Sequence, residues 1–256
     1  MHFYRGNVPH AQISFYTESG VVPRLGIAAA VTVCFAALAY WVRGVTPWGA
    51  AAGAVMCFAL YGGAGPAAFA ALLSVFALTW ITTRLGYKRK QKLGTAEQRE
   101  GRTARQVLAN LGVAAACACL YALSGTKIIF LLALAAALSE AAADTVSSEV
   151  GQAISERARL ITTWERVPAG TNGGVSMIGT LAGIGAATLV TVICVLTRLL
   201  PSKLLWISLL GSVLGMFADS YFGAWLERPG LIKNNSVNFL STLVASISAG
   251  ILVSFA

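Results

Sequence analysis

Charged residues are scarce in this sequence: Asp, Glu, Lys and Arg together make up 11% of its 256 residues. A soluble domain carries about a quarter charged residues, so this composition excludes an ordinary soluble fold. Histidine occurs only twice, and the five cysteines lie within apolar runs without metal-site spacing. We interpret the cysteines as small core residues. The sequence therefore shows no haem, flavin or zinc pattern.

Apolar residues dominate instead, at 57% of the chain and a mean hydropathy of +0.71. The apolar runs lack the alternation of lipid-facing strands, which leaves helices as the only spanning structure. The fold class predicted is all-α, a polytopic membrane bundle embedded in a lipid bilayer. Residues 1–24 are expected to be a separate segment of unknown role that does not resemble a signal peptide, and residues 25–256 a single transmembrane domain. The eight predicted spans are 25–42, 45–63, 66–83, 106–123, 127–146, 173–197, 203–225 and 237–255.

The distribution of Lys and Arg predicts the orientation. Residues 84–105 carry eight basic residues, and this loop is therefore expected on the cytoplasmic side of the inner (plasma) membrane. Placing it there puts fourteen of the nineteen basic residues on the same side and both termini outside. For the stretch from Lys88 to Lys92, the preferred interpretation is contact with anionic headgroups. No nucleic-acid partner is expected, and the sequence does not indicate an oligomeric state.

Carboxylates at the ends of two spans predict a metal site. Glu140, Asp144 and Glu149 follow directly on an apolar run, and carboxylates at membrane depth are costly enough to indicate function. Asp219 lies on the same helical row as Gly211 and other glycines, so it is expected to face the bundle. Mg²⁺ takes few carboxylates together with phosphate oxygens. The predicted metal ligands are Asp144, Glu149, Asp219 and Glu140; the alternative for Asp144 and Glu149 is an exposed helix end that pairs with nearby arginines.

Residues suited to binding phosphate and nucleotide also lie at the ends of predicted spans. The stretch PAGTNGGVS, from Pro168 to Ser176, is a Gly-rich turn expected to run into a helix, where backbone N–H groups cradle anions. An ordinary tight loop is the alternative. The Asn residues that open the last span exceed what helix capping needs. The candidate binding residues are Arg102, Asn110, Gly170, Thr171, Asn172, Gly173, Gly174, Asn234, Asn235 and Asn238.

Taken together, these motifs resemble the transmembrane protein 19 and phytyl-phosphate kinase family, over roughly residues 65–245. The resemblance implies phosphorylation of a prenyl monophosphate to its diphosphate by a nucleoside triphosphate, with CTP favoured over ATP. The matching stretches are Gly101–Asn110, Ser139–Gly151, Val167–Ser176, Gly215–Gly223 and Asn234–Asn238. The catalytic candidates under this interpretation are Asp144, Glu149, Arg105 and Asp219.

The residues fit that activity because phosphoryl transfer is mainly positioning and charge neutralisation. An acceptor that is already a monophosphate needs no general base. In this interpretation Arg102 and Arg105 hold phosphates, and Ala- and Gly-rich helices surround the prenyl chain. The alternative is a transporter or flippase for a phosphorylated lipid or anion, which would use the same carboxylates for ion coupling.

Overall fold

The computed structural model describes residues 21–125 and 127–255, and this part of the chain is predominantly helical. Of the predicted segment 1–24, residues 1–20 lie outside the described part of the chain. The helices are α1 (Val21–Trp41), α2 (Pro47–Arg84), α3 (Tyr87–Leu93), α4 (Ala104–Leu123), α5 (Ile128–Ile154), α6 (Met177–Leu196), α7 (Leu205–Phe222) and α8 (Asn234–Leu252). A π-helical turn, Gly223–Glu227, extends α7, and 3₁₀ turns cover Ser202–Leu204 and Val253–Phe255.

Within residues 21–125 and 127–255, six helices are long and apolar enough to cross a membrane, as expected of an integral membrane protein. The six are α2, α4, α5, α6, the segment Ser202–Glu227 that contains α7, and the segment Asn234–Phe255 that contains α8. The described apolar part of α1, Leu25–Trp41, is shorter. The prediction of eight spans is therefore not confirmed as a count. The predicted spans 45–63 and 66–83 both fall within α2.

Helix α2 is interrupted at its middle by a glycine and a proline. Gly65 has φ 83° and ψ −172°, a conformation that side chains disfavour. Pro66 follows and has no N–H to donate to the preceding turn. These two residues divide α2 into a first arm, residues 47–64, and a second arm, residues 66–84.

The second arm folds back to the start of the first. Trp80 Nε1 donates to the carbonyl of Val42 at 3.1 Å, and Arg84 Nη2 donates to the same carbonyl at 2.8 Å. Val42 lies five residues before the first arm begins. A straight helix of 38 residues would be about 57 Å long, so its last turn could not reach Val42. The sequence prediction therefore placed the break between residues 63 and 66 correctly.

Helix α5 lies at the centre of the bundle. All ten residues from 131 to 140 are buried, as expected for a helix that is apolar around its whole circumference. Helices α2, α4, α6, α7 and α8 all pack against it. A Cβ added at Gly215 of α7 would lie 2.7 Å from Cγ of Glu140, and one at Gly183 of α6 would lie 2.8 Å from the carbonyl of Ala143. Small residues thus bring α6 and α7 close to the carboxylates of α5.

A small sheet between α5 and α6 corrects the all-α prediction. Its strands are β1 (Arg157–Leu160), β2 (Arg166–Pro168) and β3 (Gly174–Val175), antiparallel in the order β2-β1-β3. Residues 158 and 160 face inward and are buried, whereas 157 and 159 are exposed. This alternation covers only four residues, which is too short to distinguish a strand from a loop in the sequence.

Candidate functional site

A polar cavity of about 410 Å³ lies at the end of the bundle where α4, α6 and α8 begin and where α5 and α7 end. Five helices and the sheet loop contribute to its wall. Twelve of the sequence-predicted residues line it: Arg102, Asn110, Asp144, Glu149, Gly170, Thr171, Asn172, Gly173, Gly174, Asp219, Asn234 and Asn238. We call this space the polar cavity.

Three predicted residues do not line the polar cavity. Arg105 is exposed at the start of α4 and lies outside the cavity wall. Asn235 is half-buried at the start of α8 and also lies outside it. Glu140 is 1% exposed and lies one helical turn deeper than Asp144, beneath the cavity. The structure therefore leaves these three side chains out of the cavity wall, although Glu140 lies close enough to Asp144 and Asp219 to interact with both.

Two carboxylates from different helices meet in the cavity. Asp144 of α5 and Asp219 of α7 lie within hydrogen-bonding reach of each other. Ser241 of α8 lies close to both Asp219 and the deeper Glu140, and its hydroxyl donates to the carbonyl of Asn238 at 3.0 Å. Oδ2 of Asp219 and Oε1 of Glu140 are buried and have no hydrogen-bond partner. Buried carboxylate oxygens without donors are costly unless a proton, a counter-charge or a ligand compensates them.

Asp144 and Asp219 could serve as two ligands of a magnesium ion. In residues 21–125 and 127–255, no group of three or more acidic, His or Cys side chains is arranged to hold a metal ion. Mg²⁺ is often bound by only one or two carboxylates together with phosphate oxygens. The contact between Asp144 and Asp219, and the unpartnered oxygen of Asp219, match such a two-carboxylate site.

Arg102 places a cation beside Asp144 of this pair. Its Nη2 atom donates to Thr145 Oγ1 at 3.3 Å, its charge attracts Asp144, and its Nε is buried without a partner. Its backbone is fixed as well, because its N–H donates to Gly44 and its carbonyl accepts from Thr46, both at 3.0 Å. The guanidinium therefore retains an unused donor at a rigidly held position.

The Gly-rich loop is held against the π-helical turn. Gly173 has φ 77°, and a Cβ added there would lie 2.5 Å from Cβ of Ala224. Only glycine permits both this conformation and this approach. Contrary to the sequence expectation, the loop does not run directly into a helix: β3 intervenes, and Ser176 caps α6 by accepting from Gly179 N at 3.1 Å. Residues 170–174 therefore line the cavity as part of a loop, and not as the first turn of α6.

The Asn residues at the cavity do not act as helix caps. The N-cap of α8 is Lys233, and no side chain caps this helix. Asn234 lies instead in hydrogen-bonding contact with Glu227, which also contacts Asn172. Asn238 Nδ2 donates to Asn110 Oδ1 at 3.4 Å, which links α8 to α4. The amides therefore form part of a network around the cavity.

Two residues of this region were missed by sequence reasoning. Glu227 lines the cavity from the π-helical turn, and such turns are frequent at functional sites, but no sequence pattern announces them. Lys90, expected to contact headgroups, is instead fully buried and forms an ion pair with Glu149. Its Nζ also donates to the carbonyl of Thr83 at 2.7 Å, and Thr83 Oγ1 donates to Glu149 at 3.3 Å. Glu149 therefore ties α5 to α2 and α3.

A second cavity, of about 330 Å³, adjoins the first between α1, both arms of α2 and the start of α4. Most of its lining is apolar, and we call it the apolar cavity. Four residues line both cavities: Glu97, Arg102, Gln106 and Asn110. A polar space and an apolar space thus share one wall.

A known family of membrane proteins matches most of this chain. The profile of the integral membrane protein family DUF92 matches residues 30–246. The chain belongs to the DUF92 family. It is similar to membrane protein MJ0933 of Methanocaldococcus jannaschii, at 35% identity over 184 residues, which covers 71% of this chain and 74% of that protein.

The chain is also similar to two further proteins. The membrane protein sll0875 of Synechocystis is 33% identical over 212 residues, 81% of this chain and 82% of that protein. The chloroplastic protein VTE6 of Arabidopsis thaliana is 30% identical over 223 residues, 84% of this chain and 67% of that protein. No solved structure matches the chain.

Proposed function

We propose that this DUF92 protein is a membrane-embedded prenyl-phosphate kinase. It transfers the terminal phosphoryl group of a nucleoside triphosphate, with CTP favoured over ATP, to a prenyl monophosphate. The observation that carries the proposal is the meeting of Asp144 and Asp219 beside Arg102 and the Gly-rich loop, in a polar cavity that adjoins an apolar one. The resemblance to the phytyl-phosphate kinase family, including the stretch from Gly170 to Gly174, supports the same activity.

The reaction forms one P–O bond and breaks another. An oxygen of the acceptor monophosphate bonds to the γ-phosphorus of the donor, the bond from that phosphorus to the β,γ-bridging oxygen breaks, and the nucleoside diphosphate leaves with that oxygen. The attacking oxygen is already ionised near neutral pH, because the second pKa of a phosphate monoester is about 6. The protein therefore has to bind, orient and neutralise charge, without having to remove a proton.

The cavity residues suit these tasks. Asp144 and Asp219 would hold Mg²⁺, which when bound supplies charge neutralisation to the donor phosphates. Arg102 has a buried unused donor for a phosphate oxygen, and the backbone of the Gly-rich loop, which lines the cavity, would bind others. Asn172 of the loop and Glu227 of the π-helical turn also line the cavity and contact each other. The predominance of basic residues in the loops at this end supports a site that faces the cytoplasm of a plasma membrane.

Transfer of phosphate by the purified protein in detergent tests the proposal. The assay combines CTP or ATP with phytyl, geranylgeranyl or longer prenyl monophosphates, with and without Mg²⁺. Formation of the prenyl diphosphate that depends on Mg²⁺ and on both substrates supports the kinase. If folded protein makes no diphosphate with any pair but moves a phosphorylated lipid across liposome membranes, the kinase proposal is wrong and transport takes its place.

A further inference from the structure

The apolar cavity enters the bundle from the same end as the polar cavity. Along the second arm of α2 its lining extends from Arg84 inward to Leu72. These residues are twelve positions apart, which corresponds to roughly 18 Å of helix. Phe35 of α1 and Leu111 of α4 also line it. The space is therefore deep and is bounded by hydrocarbon.

Arginines surround the entrance. Arg43, Arg99 and Arg102 all line the apolar cavity at that end. Arg84 lies there too, but its guanidinium is already used by the carbonyl of Val42 and by the Trp80 ring, 4.0 Å from the ring centroid. Arg102 lines both cavities and has a buried Nε without a partner. A ligand with a long apolar chain and an anionic head matches this distribution of charge.

We propose that the apolar cavity binds the hydrocarbon chain of the acceptor, and that Arg102 binds its phosphate at the junction with the polar cavity. This assignment rests on the proposed kinase function and identifies where its acceptor lies. The wall that the two cavities share brings the acceptor phosphate next to the space for the nucleotide. The inner end, at Leu72 and Phe35, then limits the length of chain that the protein accepts.

Gly53 provides a direct way to fill this cavity. It lies on the first arm of α2, lines the apolar cavity, and a Cβ added there would meet no atom within 4 Å. Gly62 lies on the same arm, also has nothing within 4 Å of an added Cβ, and lies outside both cavity walls. Gly53→Leu therefore obstructs the cavity, and Gly62→Leu makes the same helix substitution elsewhere.

The experiment measures binding of geranyl, farnesyl and geranylgeranyl monophosphate to protein in detergent by isothermal titration calorimetry, without nucleotide. We expect Gly53→Leu to weaken the binding of geranylgeranyl monophosphate roughly tenfold and to change the binding of geranyl monophosphate little. Displacing about two buried methylenes costs about that much affinity. Gly62→Leu should bind as the wild type does. Arg102→Gln should weaken all three ligands by a similar factor, because it removes a contact to the shared headgroup.

The assignment is overturned if Gly53→Leu binds each of the three ligands as tightly as the wild type does. It is also overturned if a membrane phospholipid stays bound to wild type, is lost in Gly53→Leu, and is not displaced by prenyl monophosphates. If phosphate transfer occurs but Gly53→Leu selects chains as the wild type does, the cavity assignment fails and the kinase stands. If no transfer occurs yet binding responds as expected, the kinase fails and the lipid site stands.

Discussion

Replacing Lys90 by Met removes the cation from a buried ion pair at the edge of the site. Lys90 is fully buried, and its partner Glu149 has a side chain that is 13% exposed. In Lys90→Met, the Glu149 carboxylate retains the Thr83 hydroxyl but loses its counter-charge, and the carbonyl of Thr83 loses a donor at 2.7 Å. Breaking a buried pair from one side costs about 3–5 kcal/mol. The partial exposure of Glu149 to the polar cavity places the expected loss at about 3 kcal/mol.

Equilibrium unfolding in mixed micelles, followed by circular dichroism, measures this loss. Lys92→Met is the matched control, since Lys92 lies on the same helix and is exposed; it should change the unfolding free energy by no more than about 0.5 kcal/mol. In the double variant Lys90→Met/Glu149→Gln no charge is left unpaired. Its loss should therefore be smaller than the sum of the two single losses by about 2 kcal/mol.

A Lys90→Met protein as stable as Lys92→Met would refute this reasoning. The single variant Glu149→Gln also separates the two roles open to this carboxylate. If Glu149 serves as the partner of Lys90, the variant Glu149→Gln should be less stable and keep most of its activity per folded molecule. If Glu149 serves as a magnesium ligand, the variant should keep its stability, lose activity and require more Mg²⁺.

Two glycine substitutions test the packing that positions the site. Gly173→Ala should destabilise the loop and impair nucleotide binding more than Gly94→Ala does. Both residues have positive φ, but only at Gly173 would an added Cβ meet another residue, Ala224, within 4 Å. Thermal unfolding and a nucleotide titration compare the two variants, and equal effects would contradict the contact with Ala224. Gly215→Ala should cost about 1–3 kcal/mol through overpacking against α5 and α8. Gly185→Ala, with open space around it, should be neutral or stabilising by about 0.5–1 kcal/mol, and the reverse order of unfolding free energies would disprove the packing.

Much of the architecture followed from composition and spacing. Hydrophobic runs predicted a membrane protein and a break between residues 63 and 66, where Gly65 and Pro66 divide α2. The glycines that share a helical row with Asp219 predicted the face of α7 that points into the bundle, and in the structure this face packs against α5 and α8. These signals are local and periodic, so a single sequence is enough to reveal them.

The rest depends on tertiary contacts that leave no local signal. Lys90 lies in a run of basic residues whose exposed neighbours fit the headgroup interpretation, and only the position of Glu149 makes it a buried partner. Arg105 follows Arg102 by three residues, yet only Arg102 lines the cavity. The π-helical turn that brings in Glu227 arises from backbone geometry that residue types do not specify.

Transfer of radiolabelled γ-phosphate to a prenyl monophosphate by three matched variants tests the central claim most directly. Asp144→Asn and Asp219→Asn remove the charge of each paired carboxylate with little change in shape, and Glu165→Gln does the same at an exposed position in the connection between β1 and β2. The account predicts labelled diphosphate from wild type and Glu165→Gln, and a loss of at least about a hundredfold from both Asp variants, as expected when charge neutralisation in phosphoryl transfer is removed. Wild-type rates from folded Asp144→Asn and Asp219→Asn would contradict it.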